Sequence, residues 1–197
     1  MSALPVVGVL LAAGAGTRMG MPKALVRDAV GVPWLHLAVT ALLDGGCDEV
    51  VVVLGSEAGT ARGLLPDRAG VRSVVAASWS AGPGASLAAG LGALGDDTVA
   101  CISLVDLPTM PVAVVRRVVG TVDGPGVLRR AVFDGRPGHP VLVGPAHRAA
   151  LLATVTRDRA DRAAGAWLRR AGVTPVDCAD LWDGRDRDRP VETPPSP

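Results

Sequence analysis

Four short apolar runs constrain this chain more than any other feature. They are residues 6–12 (VVGVLLA), 48–55 (DEVVVVLG), 71–77 (VRSVVAA) and 98–106 (TVACISLVD). Helix-like segments separate them at 33–46, 57–65 and 84–94, and another follows at 111–122. Strand and helix alternating at this interval predict a parallel sheet with helices on both faces, because a parallel crossover needs a helix-length connection. The runs are apolar throughout rather than alternating, as expected for strands buried on both sides. Three glycines weaken the helix over 84–94 by propensity, and the valines of 111–122 would tolerate a strand. Beyond residue 124 the pattern changes. GVLRRAVFDGRPGHPVLVG (126–144) predicts two strands around an Asp134-Gly135 turn, a hairpin signal. Helical segments at about 145–155 and 160–171 and a short strand in VTPVDC complete the order. The expected fold is α/β: a Rossmann-like three-layer sandwich with a mostly parallel sheet and an inserted or late antiparallel hairpin. One domain over residues 1–190 and a Pro-rich, disordered tail at 191–197 are expected.

Open parallel sheets bind ligands beyond the carboxyl ends of their strands. The loops after residues 12, 55, 77 and 105 are therefore the candidate site. The first belongs to VVGVLLAAGAGTRMGMPKAL (6–25). Gly14 and Gly16 permit a tight turn that presents backbone N–H groups to an anion, and Arg18 and Lys23 add positive charge. The chain has 20 basic residues, and Lys23 is the only lysine among them. The dinucleotide pattern G-x-G-x-x-G fails because Met19 stands where its third glycine belongs, and the second strand ends without an acidic residue. The G-x-x-x-x-G-K-[ST] spacing of a P-loop is absent too. The loop suits a polyphosphate held in some other way, against the alternative of a turn that is glycine-rich only to bend.

The remaining bounds are short. A net charge of +1 argues against a nucleic-acid partner. No apolar run approaches the roughly 20 residues of a membrane-spanning helix, and no basic n-region opens the chain. Cys47, Cys101 and Cys178 are odd in number and widely spaced, so they read as small buried hydrophobes of a cytoplasmic protein, not a zinc or disulfide framework.

LLAAGAGTRMGMPKAL resembles the signature L-A-[AG]-G-x-[SG]-x-R-[MF]-G-x-x-K of the MobA-like nucleotidyltransferases, the family of the molybdenum-cofactor cytidylyl- and guanylyltransferases. Leu11, Ala12, Ala13, Gly14, Gly16, Arg18, Met19, Gly20 and Lys23 fill its fixed places. WSAGPGASLAAGLGAL is similar to the family's W-x-x-G-x-x-x-S-L-x-x-G-L segment through Trp79, Gly82, Ser86, Leu87, Gly90 and Leu91. VDLPTM resembles its D-x-P metal motif through Asp106 and Pro108, and GRPGHPVLVG resembles the R-G-H-P-V-L segment of the cytidylyltransferase-like branch, with Pro137 interposed after Arg136.

The resemblance implies the fold of nucleotide-diphospho-sugar transferases and a set of roles. Arg18, Lys23 and Asp106 would carry catalysis. Leu11, Ala12, Ala13, Gly14, Gly16, Arg18, Lys23 and Ser86 would bind nucleotide, and Trp79 and His139 would contact substrate. Asp106, ending a buried strand, would hold Mg²⁺ while phosphates supply other ligands; on the residues alone it is equally a helix N-cap. Ser86 could equally cap a helix, and Trp79 could simply cover the sheet. In GRDRDRP, Asp186, Asp188 and Pro190 match a D-I-D-T-P-E-D segment and Arg187, Arg189 and Val191 depart from it, with Asp188 the better second metal ligand. Ala13 goes with cytidine transfer in this family and Gly there with guanosine transfer. The implied reaction is Mg²⁺-dependent movement of CMP from CTP to the terminal phosphate of molybdenum cofactor, with a molybdoenzyme as client. Use of GTP or another small phosphorylated acceptor, a non-catalytic maturation factor, and a nicotinamide dehydrogenase are the alternatives, in that order.

Overall fold

A computed structural model describes residues 4–158 and 163–187. The expected tail at 191–197 and the candidate metal ligand Asp188 lie outside the described residues. Seven strands form one sheet: β1 Val6–Ala12, β2 Glu49–Leu54, β3 Val71–Val75, β4 Val99–Leu104, β5 Leu128–Phe133, β6 Arg136–Val143 and β7 Thr174–Asp177. Their order is β3-β2-β1-β4-β6-β5-β7. Only β6 runs antiparallel to its neighbours, β4 and β5; all other pairings are parallel. The hairpin turns at Asp134 (φ 50°) and Gly135 (φ 73°), the pair of left-handed conformations that a tight hairpin needs.

Six α-helices cover the two faces: α1 Trp34–Asp44, α2 Ala58–Arg62, α3 Pro83–Gly92, α4 Val112–Val119, α5 Pro145–Arg157 and α6 Ala163–Arg170. Successive strand residues point to opposite faces. Leu10, Val50, Val52 and Cys101 therefore pack with α1 and α4, while Val9, Val53, Ile102 and Val141 pack with α3, α5 and α6. Two cores on one sheet explain the continuous apolar runs. Residues 112–119, which could have formed a strand, are helical because Val114, Val115, Val118 and Val119 bury one side and Arg116 and Arg117 face outward. The glycines of α3 do not break it. A Cβ on Gly90 would come within 2.5 Å of Val9 Cγ1, so the helix lies closer to the sheet than alanine would permit. All three cysteines are buried and free.

Strand order reverses direction at β1. Its own crossover leads outward to β2, while β4 lies on its other side. The loops after β1 and β4 therefore part, opening the crevice at which open α/β sheets take ligands.

Candidate nucleotide site

The crevice is a cavity of about 540 Å³. The loop after β1 forms one wall, from Leu11 to Met19, with Lys23 closing it. Trp79 and Ser86, before and within α3, form another, and Leu104 to Asp106 the third. Every residue proposed to bind nucleotide, together with Trp79 and Asp106, lines this one cavity. His139 does not; it lies in a neighbouring cavity that shares Leu11, Pro83 and Leu104 with this one.

The loop is held by its own backbone. Met19 N–H donates to Gly16 O at 2.8 Å, and Gly16 has φ 63°. A Cβ there would stand 1.9 Å from Met21 O, so only glycine fits. Gly14 is different: a Cβ on it would meet nothing within 4 Å. Its backbone faces open space, which a ligand can approach. The loop then enters a single 3-10 turn, Lys23–Leu25, not an α-helix. The loop therefore does not run into the helix N-terminus that holds the pyrophosphate in dinucleotide folds, and Arg18 and Lys23 add positive charge beside it.

Lys23 Nζ donates to Asp106 Oδ2 at 2.8 Å. The two side chains are 18% and 16% exposed. Asp106 is not a helix N-cap: α4 begins at Val112 with Pro111 as its cap. Its Oδ1 is buried and has no hydrogen-bond partner among the described residues. A buried carboxylate oxygen without a donor costs stability, and a hard cation is the partner it suits. No group of three or more His, Cys, Asp or Glu suited to a metal exists among the described residues. A hard divalent cation held by Asp106 would complete its shell with substrate phosphates and water. The Asp106 carbonyl accepts from Arg187 N–H at 2.9 Å, which brings the C-terminal segment beside the site. Asp186, next to it, is exposed.

Ser86 is buried within α3 and makes no cap; Gly82 stands at the N-cap position. Ser86 is among the residues that line the cavity. Trp79 is positioned by the chain turn Trp79–Ala81. In the neighbouring cavity, burial pushes the His139 imidazole down to about 4, helped by the nearby Arg130 charge, so it is neutral at pH 7. Arg130 and Arg169 also line that cavity. Neither is part of a recognisable local motif, and in a chain so rich in arginine nothing in the sequence singles them out.

Comparison with known proteins agrees with this geometry. The MobA-like NTP transferase domain matches residues 8–175. A nicotine blue oxidoreductase of Paenarthrobacter nicotinovorans is 37% identical, over 93% of this chain and 92% of that protein. A nucleotidyl transferase from Methanothermobacter superposes with a TM-score of 0.74 at 26% identity, covering 89% of this chain and 88% of the other. The Mycobacterium tuberculosis protein Rv0371c shares the fold, with a TM-score of 0.75 at 23% identity over 95% of both chains. That protein has also been crystallised with manganese. With the family's domain matched across most of its length and its glycine loop, lysine and strand-end aspartate gathered in one crevice, this chain belongs to the MobA-like NTP transferase family.

Proposed function

We propose that the protein is a Mg²⁺-dependent cytidylyltransferase that moves CMP from CTP to the terminal phosphate of molybdenum cofactor. The observation that carries the transfer chemistry is Asp106: it lines the crevice walled by the glycine loop, its buried Oδ1 has no hydrogen-bond partner among the described residues, and Lys23 holds its other oxygen. In the reaction an acceptor phosphate oxygen attacks the α-phosphorus, the bond from that phosphorus to the bridging oxygen breaks, and pyrophosphate leaves. Charge gathers on the α-phosphoryl oxygens and on the leaving group. Preorganised cations are the protein's main means of stabilising such charge. Arg18 offers a planar fork and Lys23 a point charge, and the backbone at Gly14 lets the phosphates approach. Mg²⁺, held by Asp106 and the phosphates, would neutralise the triphosphate. The domain would run to residue 190, with Asp188 joining the metal, in a cytoplasmic protein. No helix among the described residues is long and apolar enough to cross a membrane.

Base choice rests on Ala13, which lines the crevice, and on a chain without Asn or Gln. Backbone groups, Ser, Thr or Arg must read the base edge. The test is pyrophosphate release with each nucleoside triphosphate, Mg²⁺ and cofactor. Release with CTP alone supports the reading; release with GTP overturns the base assignment.

The oxidoreductase relative supports a second reading, hydride transfer from a nicotinamide nucleotide in the same crevice. The 3-10 exit of the loop and Met19 speak against dinucleotide binding. Consumption of NADH or NADPH with a conjugated acceptor such as nicotine blue, and no pyrophosphate from any nucleotide, would establish it instead.

A further inference from the structure

The second cavity encloses about 620 Å³. Its floor is the sheet face at the carboxyl end of β4, where Ile102 pairs with Val141 and Val141 with Arg130. Helices α3, α5 and α6 wall it with mostly apolar side chains, Leu87, Leu151 and Leu168 among them. Into this lining project two arginines. Arg130 Nε donates to the Gly138 carbonyl at 3.0 Å, and neither Arg130 nor Arg169 pairs with a carboxylate among the described residues. Arg68, Arg117, Arg129 and Arg148, by contrast, each reach an aspartate.

Among the described residues no carboxylate offsets these two cations, and the cost falls on the part-buried Arg130, since Arg169 lies on the exposed side of α6. The Arg130 guanidinium is pushed below its usual range, first by burial and then by the Arg169 charge. An anion between them would remove both penalties. Its place relative to the nucleotide follows from the sheet. β5 lies two strands from β4, and strands are spaced about 4.8 Å, so Arg130 stands about 10 Å across the sheet from Ile102, and Asp106 lies further off, beyond the carboxyl end of β4.

We propose that this cavity receives the acceptor, and that the acceptor carries a second anionic group, remote from its reacting oxygen, which Arg130 and Arg169 hold. An apolar body joins the two ends and lies over Ile102, Leu104 and Val141. Neutral His139 offers a hydrogen bond along this body without adding charge. Naming the occupant an acceptor rests on the transfer reading; the anion site itself does not.

Calorimetric titration with 1-naphthyl phosphate and with uncharged 1-naphthylmethanol tests the proposal without knowledge of the natural acceptor. Wild-type protein should prefer the phosphate by about tenfold or more, as charge-assisted bidentate contacts give. Arg169→Ala, on the exposed side of α6, and Arg130→Gln should each cut that preference and leave naphthylmethanol binding in place. Lys23→Ala should leave it intact. The proposal is overturned if wild type shows no preference, or if the preference is lost in Lys23→Ala and kept in both arginine variants, which would put the phosphate on the glycine loop. Should Arg130→Gln fail to fold, Arg169→Ala alone decides. A preference that persists in a protein releasing no pyrophosphate from any nucleotide supports the anion site and overturns only the transfer reading.

Discussion

Lys23→Ala should destabilise the ligand-free protein and, at the same time, make it a better binder of bare divalent cations. Lys23 Nζ and Asp106 Oδ2 are 2.8 Å apart with less than a fifth of either side chain exposed. At an effective dielectric near 20 the bare attraction at that distance is about 6 kcal/mol. Most of it offsets the desolvation of the two charges, so the intact pair contributes far less. Truncation is a different comparison. Among the described residues Asp106 already has one buried oxygen without a donor; losing Lys23 would remove the ammonium that donates to the other. Stranding a fully buried charge costs about 3–5 kcal/mol, and breaking an exposed pair under about 1 kcal/mol. At this exposure the expected loss is about 1–3 kcal/mol. For a chain of this length that is a fall in Tm of about 2–12 °C. Circular dichroism melts, run with and without millimolar MnCl₂ and without nucleotide, read both halves. In the wild type the Lys23 ammonium on Oδ2 repels a cation that approaches Asp106, and in the variant it does not, so Mn²⁺ should raise the variant's Tm more than the wild type's. An unchanged Tm in the variant, or a larger Mn²⁺ shift in the wild type, refutes the reasoning.

Other outcomes follow from the same geometry. Asp106→Asn keeps the shape and removes the charge; pyrophosphate release should fall at least about a hundredfold while CTP still binds, as steady-state kinetics and calorimetry would show. Ala13→Gly should widen the crevice and move the CTP-to-GTP ratio of kcat/KM toward GTP; an unchanged ratio removes Ala13 from base selection. His139 titrates at about 4 in the folded protein, below its ordinary 6.5. The unfolded chain therefore binds the proton more readily, and stability should fall by up to about 1.4 kcal/mol per unit as pH drops from 6.5 toward 4. Urea denaturation of His139→Phe should lack that share of the slope. Gly90→Ala puts a Cβ 2.5 Å from Val9 Cγ1 and 2.9 Å from Val53 Cγ2. Overpacking of about 1–3 kcal/mol should outweigh the helix-propensity gain of about 1 kcal/mol, and a urea midpoint above wild type would contradict this.

Much of the fold was legible because burial on both faces leaves a strong mark. Residues 6–12 and 98–106 could hardly be anything but central strands, and Asp134-Gly135 announced its hairpin. What local reasoning could not decide was settled by packing. Glycine propensity weakens 84–94 as a helix, yet Gly90 is what lets α3 approach Val9 and Val53. Residues 112–119 read two ways until four of their valines found a core. The crevice was legible for a related reason. Gly14, Gly16, Arg18 and Lys23 sit within ten residues, and a strand end brings Asp106 to them. The second cavity was not. Arg130 comes from a hairpin strand and Arg169 from a helix some forty residues later, and only the sheet register and the α6 packing put them on one wall. The GHP segment did point to His139 as a substrate contact, and the fold places it in that second cavity instead of against the nucleotide loop.

The exit of the glycine loop carries the deeper distinction between keeping a nucleotide and splitting one. Where a dinucleotide is retained, its pyrophosphate rests on backbone N–H groups at a helix start, a fixed dipole that holds the ligand through the reaction. Here the chain leaves Gly16 through turns and reaches only the three residues Lys23–Leu25 in 3-10 form. The exit of this loop therefore offers side-chain cations in place of a helix start, and Lys23 is engaged with Asp106. Such a cation can exchange one oxygen for another as charge shifts from the α-phosphate to departing pyrophosphate. A helix dipole cannot follow a leaving group in this way. That exchange suits the transfer reading proposed above, and pyrophosphate release is what separates it from the chemistry named for the 37% identical oxidoreductase relative.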